Sequence, residues 1–473
     1  MKLALILLSA SATAMAALPS VGPDYARPAV EAPGSYRDAG AIGAWKSAAP
    51  ADASARGEWW KLFADPTLDR LEALAIRQNQ DLRATAARVE QAAASAGLAR
   101  SAYWPQVGAS PSAARGRSSA TTANPYPDLL ATDYSAPILA TWEIDLFGRV
   151  RRLNESARAD ADASAETFES VRLSLTANVA ADYFSMRGLD RELAILRDTV
   201  ALRRRELELV SAQQRIGSGS ELDTSRAETE LAAAEAESAA VAVRRESAQD
   251  ALAVLAGEAA TSFSVPPSVA GTPLPAIPPG VPSDLLERRP DVAAAERSLA
   301  AANARIGVAK AAFFPAVSLT GGAGFESAGT DRLFGADSRI WSIGPSVYLP
   351  IFQGGRNVAN LERSRAAYDE SAAQYRQMVL VAFREVQEAL TVARLLTEQS
   401  AAQDRALASS RRAAELARTR YDAGYVSYLD VVDAQRTELG NERAAAQLAS
   451  LRLNTDVALI KALGGGWSGG ASR

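Results

Sequence analysis

The residues with the clearest chemical potential in this chain are two carboxylates, Asp430 and Asp433, which follow a glycine-containing break between two helical segments. Residues three positions apart lie on nearly the same face of a helix, so both carboxylates are expected to point in one direction. The 473 residues include no His and no Cys, which removes imidazole catalysis, thiolate nucleophiles and the commonest metal ligands. Carboxylate chemistry or attraction of cations remains, and we expect no cofactor and no metal site.

Charge and leader sequence indicate where the protein works. The chain has 51 basic and 55 acidic residues, so it lacks the basic excess that nucleic-acid binding requires. Residues 1–16 carry one lysine, a short apolar run and the small-residue pattern Ala14-Met15-Ala16, which together predict a secretory signal. No later segment has about 20 consecutive apolar residues. Because the chain has no Cys, neither a disulfide nor a lipid-bearing Cys at the mature N-terminus is expected.

An internal repeat organises the rest of the chain. The segment from Asp81 aligns without gaps on the segment from Asp291, an offset of 210 residues, and a second match places Gly257 on Gly464, an offset of 207. Two structural repeats of roughly 200 residues are therefore predicted. The predicted divisions are a signal peptide (1–16), an N-terminal extended segment (17–64), a first repeat (65–264), a Pro-rich linker (265–282), a second repeat (283–464) and a flexible tail (465–473).

Each repeat contains a pair of segments in which apolar and polar residues alternate. The pattern is clear over 136–146, 317–326 and 341–351, and weaker over 107–120, where Pro111 and Gly116 interrupt it. Trp142, Phe325 and Trp341 fall on the apolar faces, as they would in a lipid-facing sheet with aromatic girdles. A solvated sheet packed on helices is the alternative. Four strands are too few for a membrane barrel, which needs at least about eight, so several chains would have to share one barrel.

Two very long helices follow the strand pairs. No Pro and no run of turn residues interrupts 149–214 or 357–420, and about 65 helical residues reach roughly 100 Å. Such helices favour a coiled-coil-like array, and an extended coiled-coil rod is the alternative.

The break at Gly424 has a counterpart in the first repeat. The sequence comparison places Gly219 on Gly424, and after a two-residue difference it places Ser220 and Asp223 on Ser427 and Asp430. In both copies a glycine is expected to end one helix, and the S-x-x-D pattern to cap the next. Capping explains Asp223 and Asp430 without any pore. It does not explain Asp433, whose counterpart is Arg226.

Several long motifs, in order, resemble the outer-membrane factor family of tripartite efflux systems, the TolC/OprM-like and NodT-type outer-membrane efflux proteins. The resemblance covers Val21 to about Gly464. The motifs are V-G-P-D-Y-A-R-P (21–28), E-W-W-K-L-F-A-D-P-T-L-D (58–69), W-E-I-D-L-F-G-R (142–149), P-S-D-L-L-E-R-R-P-D-V-A-A-A-E-R (282–297) and F-Q-G-G-R (352–356).

The resemblance implies a mostly α-helical fold with a membrane β-barrel portion. Each repeat would contribute two strands to a trimeric, twelve-stranded outer-membrane barrel and long helices to a periplasmic α-helical barrel. The protein would be a passive exit duct that works with a periplasmic adaptor and an inner-membrane transporter, commonly of the resistance-nodulation-division type. Many relatives carry a lipidated Cys before V-G-P-D-Y, and this chain does not.

The resemblance also suggests roles for residues at the helix ends. Asp430, Asp433 and Tyr421 match the family's periplasmic constriction and gate, while Val426 stands where some relatives have an Arg. The expected adaptor-docking tips are Gly217, Ser218 and Gly219 in the first repeat and Ala423, Gly424 and Tyr425 in the second, with helix caps at Ser220, Asp223 and Ser427.

Two other classes of protein remain as alternatives. A periplasmic coiled-coil adaptor would also have long helical hairpins and a signal, but it gives no reason for lipid-facing Trp residues. A secreted carboxylate hydrolase would have to use Glu143 and Asp145, the only acids clustered on a strand, and both are more simply explained as lumen-facing residues.

Overall fold

The structure is a computed structural model that describes residues 20–28, 57–121, 130–275 and 288–465. It divides into two compact units. The described part of the first unit comprises 20–28, 88–121, 130–165 and 294–376, and that of the second comprises 57–87, 166–275, 288–293 and 377–465. The predicted signal peptide, most of the N-terminal extended segment, part of the linker and nearly all of the tail lie outside the described residues.

The two long helices of the prediction are confirmed, and each contains 67 residues. The helices are α1 (Pro66–Gln78), α2 (Gln80–Ser101), α3 (Arg149–Arg215), α4 (Glu221–Ala256), α5 (Pro290–Ala311), α6 (Arg356–Asp422) and α7 (Tyr428–Ala462). The order of elements after the first strand pair, α3 then α4, repeats after the second pair as α6 then α7. No helix in the described ranges combines the length and the apolar character that a bilayer crossing requires.

The four predicted strands are present, the first of them is divided at Pro111, and the second is preceded across Pro137 by a strand at 130–135 that was not predicted. The strands are β1 (Gln106–Ala109), β2 (Ser112–Arg117), β3 (Leu130–Ser135), β4 (Ile138–Ile144), β5 (Ala316–Ser327) and β6 (Arg339–Tyr348). Pro111 and Pro137 interrupt the hydrogen-bond ladder because proline has no N–H to donate. The pairing register is the same on both sides of each interruption, so β1 and β2 act as one strand and β3 and β4 as another.

The sheet is an antiparallel meander that crosses from the first repeat to the second through β4 and β5. In the described residues, the β1–β2 strand pairs only with β3–β4, and β6 pairs only with β5. Both of these strands therefore have an unpaired edge.

The two faces of the sheet differ sharply. The register aligns Ile138 with Ala323 and Trp142 with Leu319, and it aligns Ala323 with Trp341, so these side chains share one apolar face. Trp341 is 78% exposed on that face. The opposite face carries mainly Ser, Gly, Thr and Ala, and a serine pair there, Ser318 and Ser346, is hydrogen-bonded at 2.7 Å. An exposed apolar face of this extent requires a cover, which the outside of a membrane barrel finds in lipid.

The predicted strands extend too far at the ends that lead into the helices. The predicted strands at 136–146 and 341–351 include Leu146, Leu349 and Ile351, but β4 ends at Ile144 and β6 at Tyr348. Gly148 has φ +84°, a conformation that a strand does not adopt, and Pro350 cannot donate to a ladder.

The first unit also holds residues 20–28, which include the V-G-P-D-Y motif. The Asn303 side chain donates to the carbonyl of Pro23 at 3.0 Å, Arg152 pairs with Asp24 at 2.7 Å, and the Tyr25 hydroxyl donates to Glu296 at 2.6 Å. Burial and the Glu296 carboxylate raise the pKa of Tyr25. The motif therefore fastens the N-terminal segment to helices of both repeats.

Candidate pore constriction and docking tips

Two helical-hairpin tips lie in the second unit, at 216–220 and 423–427, and their turns have the same backbone geometry. Gly217 has φ +80° and Gly424 has φ +77°. The N–H of Gly217 donates to Gln214 and that of the next residue to Gln213, both at 2.9 Å, and Gly424 and Tyr425 make the same two bonds to Tyr421 and Arg420 at 2.8 and 2.9 Å. Each glycine ends its helix in the left-handed conformation that favours glycine.

This geometry corrects one predicted equivalence. The sequence comparison paired Gly219 with Gly424, but Gly219 does not have a positive φ, and Gly217 occupies the equivalent place. A single offset of 207 residues then relates the whole tip, and the two-residue difference is unnecessary. The residue directly after the last helical turn must be left-handed, whereas Gly219, which precedes the next cap, is not, and the letters alone do not separate these two positions.

A serine precedes the second helix of each tip, at Ser220 and at Ser427. The Ser220 hydroxyl accepts from the N–H of Asp223 at 3.2 Å. At the second tip, the Asp430 carboxylate accepts from the Ser427 N–H at 2.9 Å and from the Ser427 hydroxyl at 2.6 Å. These bonds lower the pKa of Asp430, because they favour its charged form.

The two candidate pore aspartates lie on the exposed side of α7, and Tyr428, Val431 and Val432 are buried on its other side. Asp430 is held by the cap, while the Asp433 carboxylate makes no hydrogen bond or ion pair to any described residue. In the first repeat the same two positions are occupied by Asp223 and Arg226, whose charged groups pair at 3.7 Å. The second tip therefore presents two adjacent negative charges where the first has a neutralised pair.

Tyr421, the third candidate gate residue, is directed toward helix α3 and away from the solvent around the aspartates. Its hydroxyl donates to Gln213 at 3.2 Å, and its ring centroid lies 5.9 Å from that of Tyr428. Both tyrosines pack with Val210 and Val432 in a small apolar cluster at the tips. In the described residues no hydrogen bond joins Tyr421 to Asp430 or Asp433, and its bond to Gln213 ties α6 to α3.

Apolar residues are exposed at both tips. Ile216 is 80% and Tyr425 78% exposed. Leu222 and Leu429, which occupy the same position in the two tips, are also exposed. The sequence interpretation had selected mainly the turn glycines and their small neighbours, and of these four residues it named only Tyr425.

A buried charge network near the tips was missed entirely. Arg203 and Glu206 on α3 form an ion pair at 3.1 Å, with side chains 3% and 2% exposed, and Arg203 also pairs with Glu230 on α4 at 3.6 Å. Glu206 accepts from Gln435 of α7 at 2.6 Å and pairs with Arg418 of α6 at 3.2 Å. The network thus joins all four long helices.

A sequence signal for this network exists in retrospect. Leu196, Arg203 and Val210 are seven residues apart and all buried, so Arg203 occupies an apolar position of a heptad pattern. A charged residue at such a position is costly unless buried partners compensate it.

The two acids that a hydrolase would need are already paired in the first unit. Glu143 accepts from the Arg149 guanidinium at 2.7 Å. Asp145 is buried, accepts from the N–H of Arg151 at 2.9 Å and pairs with its side chain at 3.2 Å. Both carboxylates therefore fix the passage from strand β4 into helix α3.

The amphipathic sheet, the repeated long helices and the paired tips define a membrane channel with a helical extension. The profile of the family described as "Outer membrane efflux protein" matches residues 71–258 and 281–465. The chain is 37% identical over 457 residues to outer membrane protein OprJ of Pseudomonas aeruginosa, a match that covers 96% of this chain and 94% of OprJ. It is 33% identical to the cation efflux system protein CusC of Escherichia coli, with 95% and 96% covered.

A solved structure of the outer-membrane channel OprN matches with a TM-score of 0.85 and 33% identity, covering 94% of this chain and 99% of that chain. The chain belongs to the outer membrane efflux protein family. It is an outer-membrane channel of an efflux system, with a β-barrel portion and a periplasmic helical extension. Because the structural neighbours are channels, the alternative interpretation as a periplasmic adaptor is wrong.

Proposed function

We propose that the chain works as a homotrimer whose three sheets close one twelve-stranded barrel, and that it conducts small molecules outward through this barrel. The observation that carries the trimer is the sheet itself, which has an exposed apolar face and two unpaired edges. An open edge is not tolerated in hydrocarbon, because its N–H and C=O groups would lack partners. Three copies of four strands satisfy every edge.

The absence of native Cys makes disulfide trapping a direct test of this arrangement. Variants with one cysteine on each edge strand, for example Gly108→Cys/Gly344→Cys, should crosslink between copies in outer-membrane fractions and give dimers and trimers on gels. The control is Leu139→Cys/Gly322→Cys, since these two residues pair within one chain and should crosslink internally. If a full scan of both edge strands traps no intermolecular product, the proposed barrel is incorrect.

We further propose that Asp430 and Asp433 of three copies form two stacked rings at the periplasmic constriction. Support comes from their exposed positions and from the Asp433 carboxylate, which makes no hydrogen bond or ion pair to a described residue. Acidic rings concentrate cations and exclude anions in a narrow pore. Asp433→Asn should reduce cation preference and block by multivalent cations in planar bilayers, and Asp430→Asn should do so less cleanly because it also loosens the cap.

The matched control for the constriction lies in the first repeat, where Asp223→Asn changes the equivalent cap acid. The control should leave the reversal potential in a salt gradient unchanged. An unchanged reversal potential in the Asp433→Asn channel would refute the assignment.

The tips are proposed to dock a periplasmic adaptor, which connects the duct to an inner-membrane transporter. The family resemblance implies a transporter of the resistance-nodulation-division type. The proposed contacts are Gly217, Ser218 and Gly219 with Ala423, Gly424 and Tyr425. Photo-crosslinkers at Ser218 and Tyr425 should capture the adaptor in cells, and a crosslinker at Ser450, which is hydrogen-bonded to α3 far from the tips in sequence, should not. Capture from neither tip would overturn this proposal.

The transported compounds are proposed to be set by the pump. Relatives of similar identity are named for a cation efflux system and for a toluene efflux pump, which are chemically unrelated cargoes.

A further inference from the structure

Three arginines lie on the apolar face of the sheet, at the strand ends that are farthest from the helices. Arg115 and Arg117 lie an even number of residues after Val107 and Ala109 along the β1–β2 strand, so all four side chains share one face. Arg339 is the first residue of β6 and shares the face of Trp341, two residues later. Each edge strand thus carries a row of apolar side chains that ends in arginine.

The position of these arginines relative to a bilayer follows from the neighbouring strand. From Tyr134 to Ile144 the residues on the apolar face are Tyr, Ala, Ile, Ala, Trp and Ile. Ten residue steps at about 3.3 Å, tilted by about 40°, give a height of roughly 25 Å, which is the apolar band of an outer-membrane barrel. The next residue on this face is Thr132, which pairs with Arg115. Arg115 therefore lies at the border of the band.

The border in question faces the outside of the cell. Helices α2, α3, α5 and α6 adjoin the opposite strand ends, near Gln106, Ile144, Ala316 and Tyr348. Because the helical extension is periplasmic, the arginine ends of the strands lie at the outer leaflet.

All three arginines are exposed, and none of them makes a hydrogen bond or ion pair to a residue that the structure describes. The acids on the strands at the same end, Asp133 and Glu326, point to the other face, since Glu326 pairs with Ser135. Asp331 and Asp337 lie in the β5–β6 connection. The cations thus face outward and the anions face the lumen. Arg332, in the β5–β6 connection, differs in having Asp331 at 3.6 Å.

We propose that Arg115, Arg117 and Arg339 bind the phosphate groups of an outer-leaflet glycolipid, lipopolysaccharide. A guanidinium donates two parallel hydrogen bonds to a phosphate, and arginines beside a bilayer are attracted to anionic headgroups. The proposal rests on the proposed trimer, because closure places the β6 edge of one copy beside the β1–β2 edge of the next. Three cations at one junction suit a headgroup with more than one phosphate.

The test uses purified trimer in nanodiscs and fluorescent lipopolysaccharide. The variant Arg115→Gln/Arg117→Gln/Arg339→Gln should bind more weakly by about fivefold per arginine, or roughly a hundredfold in all. Arg332→Gln, the matched control at the same end of the sheet, should bind like the wild type. Gel analysis of the trimer separates the two proposals: loss of binding by an intact trimer concerns only the lipid site, whereas failure to trimerise in the wild type would sink the proposed function.

A second measurement needs no variant. Lipid A with both phosphates should compete for the wild-type protein, whereas enzymatically dephosphorylated lipid A and phosphatidylglycerol at equal charge should compete weakly. Equal competition by dephosphorylated lipid A, or unchanged binding by the triple variant, would overturn the proposal.

Discussion

Removing Arg203 should destabilise the helical part of the protein far more than removing its neighbour Arg204. Both residues are on α3 and both have a glutamate partner on α4, so the two changes differ mainly in burial. The Arg203 side chain is 3% exposed and has two glutamate partners, whereas Arg204 and Glu235 are 61% and 49% exposed and lie 2.9 Å apart.

The magnitude follows from what each substitution leaves behind. In Arg203→Met, Glu206 and Glu230 lose their buried counter-charge and keep only Arg418 and Arg436, whose side chains are 36% and 57% exposed. Breaking a buried pair from one side costs about 3–5 kcal/mol. In Arg204→Met an exposed pair is lost, which costs at most about 1 kcal/mol. For a chain of 473 residues, about 1 °C of melting temperature corresponds to each kcal/mol.

The assay is thermal unfolding of detergent-solubilised protein, followed by circular dichroism at 222 nm. Arg203→Met should lower the melting temperature by about 3–5 °C and Arg204→Met by less than about 1 °C. The triple variant Arg203→Met/Glu206→Leu/Glu230→Leu should recover most of the loss, because it removes the buried charges together. Equal shifts for the two single variants, or a triple variant less stable than Arg203→Met, would refute the reasoning.

Three further changes test other parts of the fold. Glu72 is fully buried, and both of its carboxylate oxygens lack a partner among the described residues. Burial raises the pKa of Glu72, so the folded state loses stability as pH rises through that raised value. Glu72→Leu should add about 2 kcal/mol of stability at pH 7 and abolish the pH-dependent loss in melting curves from pH 4 to 8. Gly22→Ala should cost about 1–3 kcal/mol, since the new Cβ would lie 2.6 Å from the backbone of α5. Gly97→Ala, in open space on α2, should be neutral or stabilising in the same thermal unfolding assay. Ser427→Ala should cost about 1 kcal/mol by removing the serine hydroxyl from the cap of α7, seen as faster amide hydrogen exchange confined to the second tip.

Much of the fold was predictable because its signals are local. Two 67-residue helices follow from long stretches without proline, and the strand faces follow from alternation. The 210-residue offset between Asp81 and Asp291 predicts two repeats from the sequence alone. Strand ends and the tip alignment failed where a single glycine or proline conformation decides the outcome, as at Gly148 and Gly217.

The candidate site divided in the same way. The sequence comparison separated Asp430, which has a capping role, from Asp433, and the structure shows the cap bonds of Asp430 directly. The sequence could not show that Tyr421 bonds to Gln213, because that contact spans two helices that are remote in sequence.

The sequence by itself determined the class of elements, their order, the repeat and the family, since each depends on residue spacing along one segment. Only the tertiary structure decided that Arg203, Glu206 and Glu230 share one buried network, that β4 lies beside β5, and that the sheet sorts its arginines to one face and its acids to the other at the outer end. The physical reason is that charge compensation and strand pairing join residues far apart in the chain, and no period in the sequence encodes which distant residue becomes the partner.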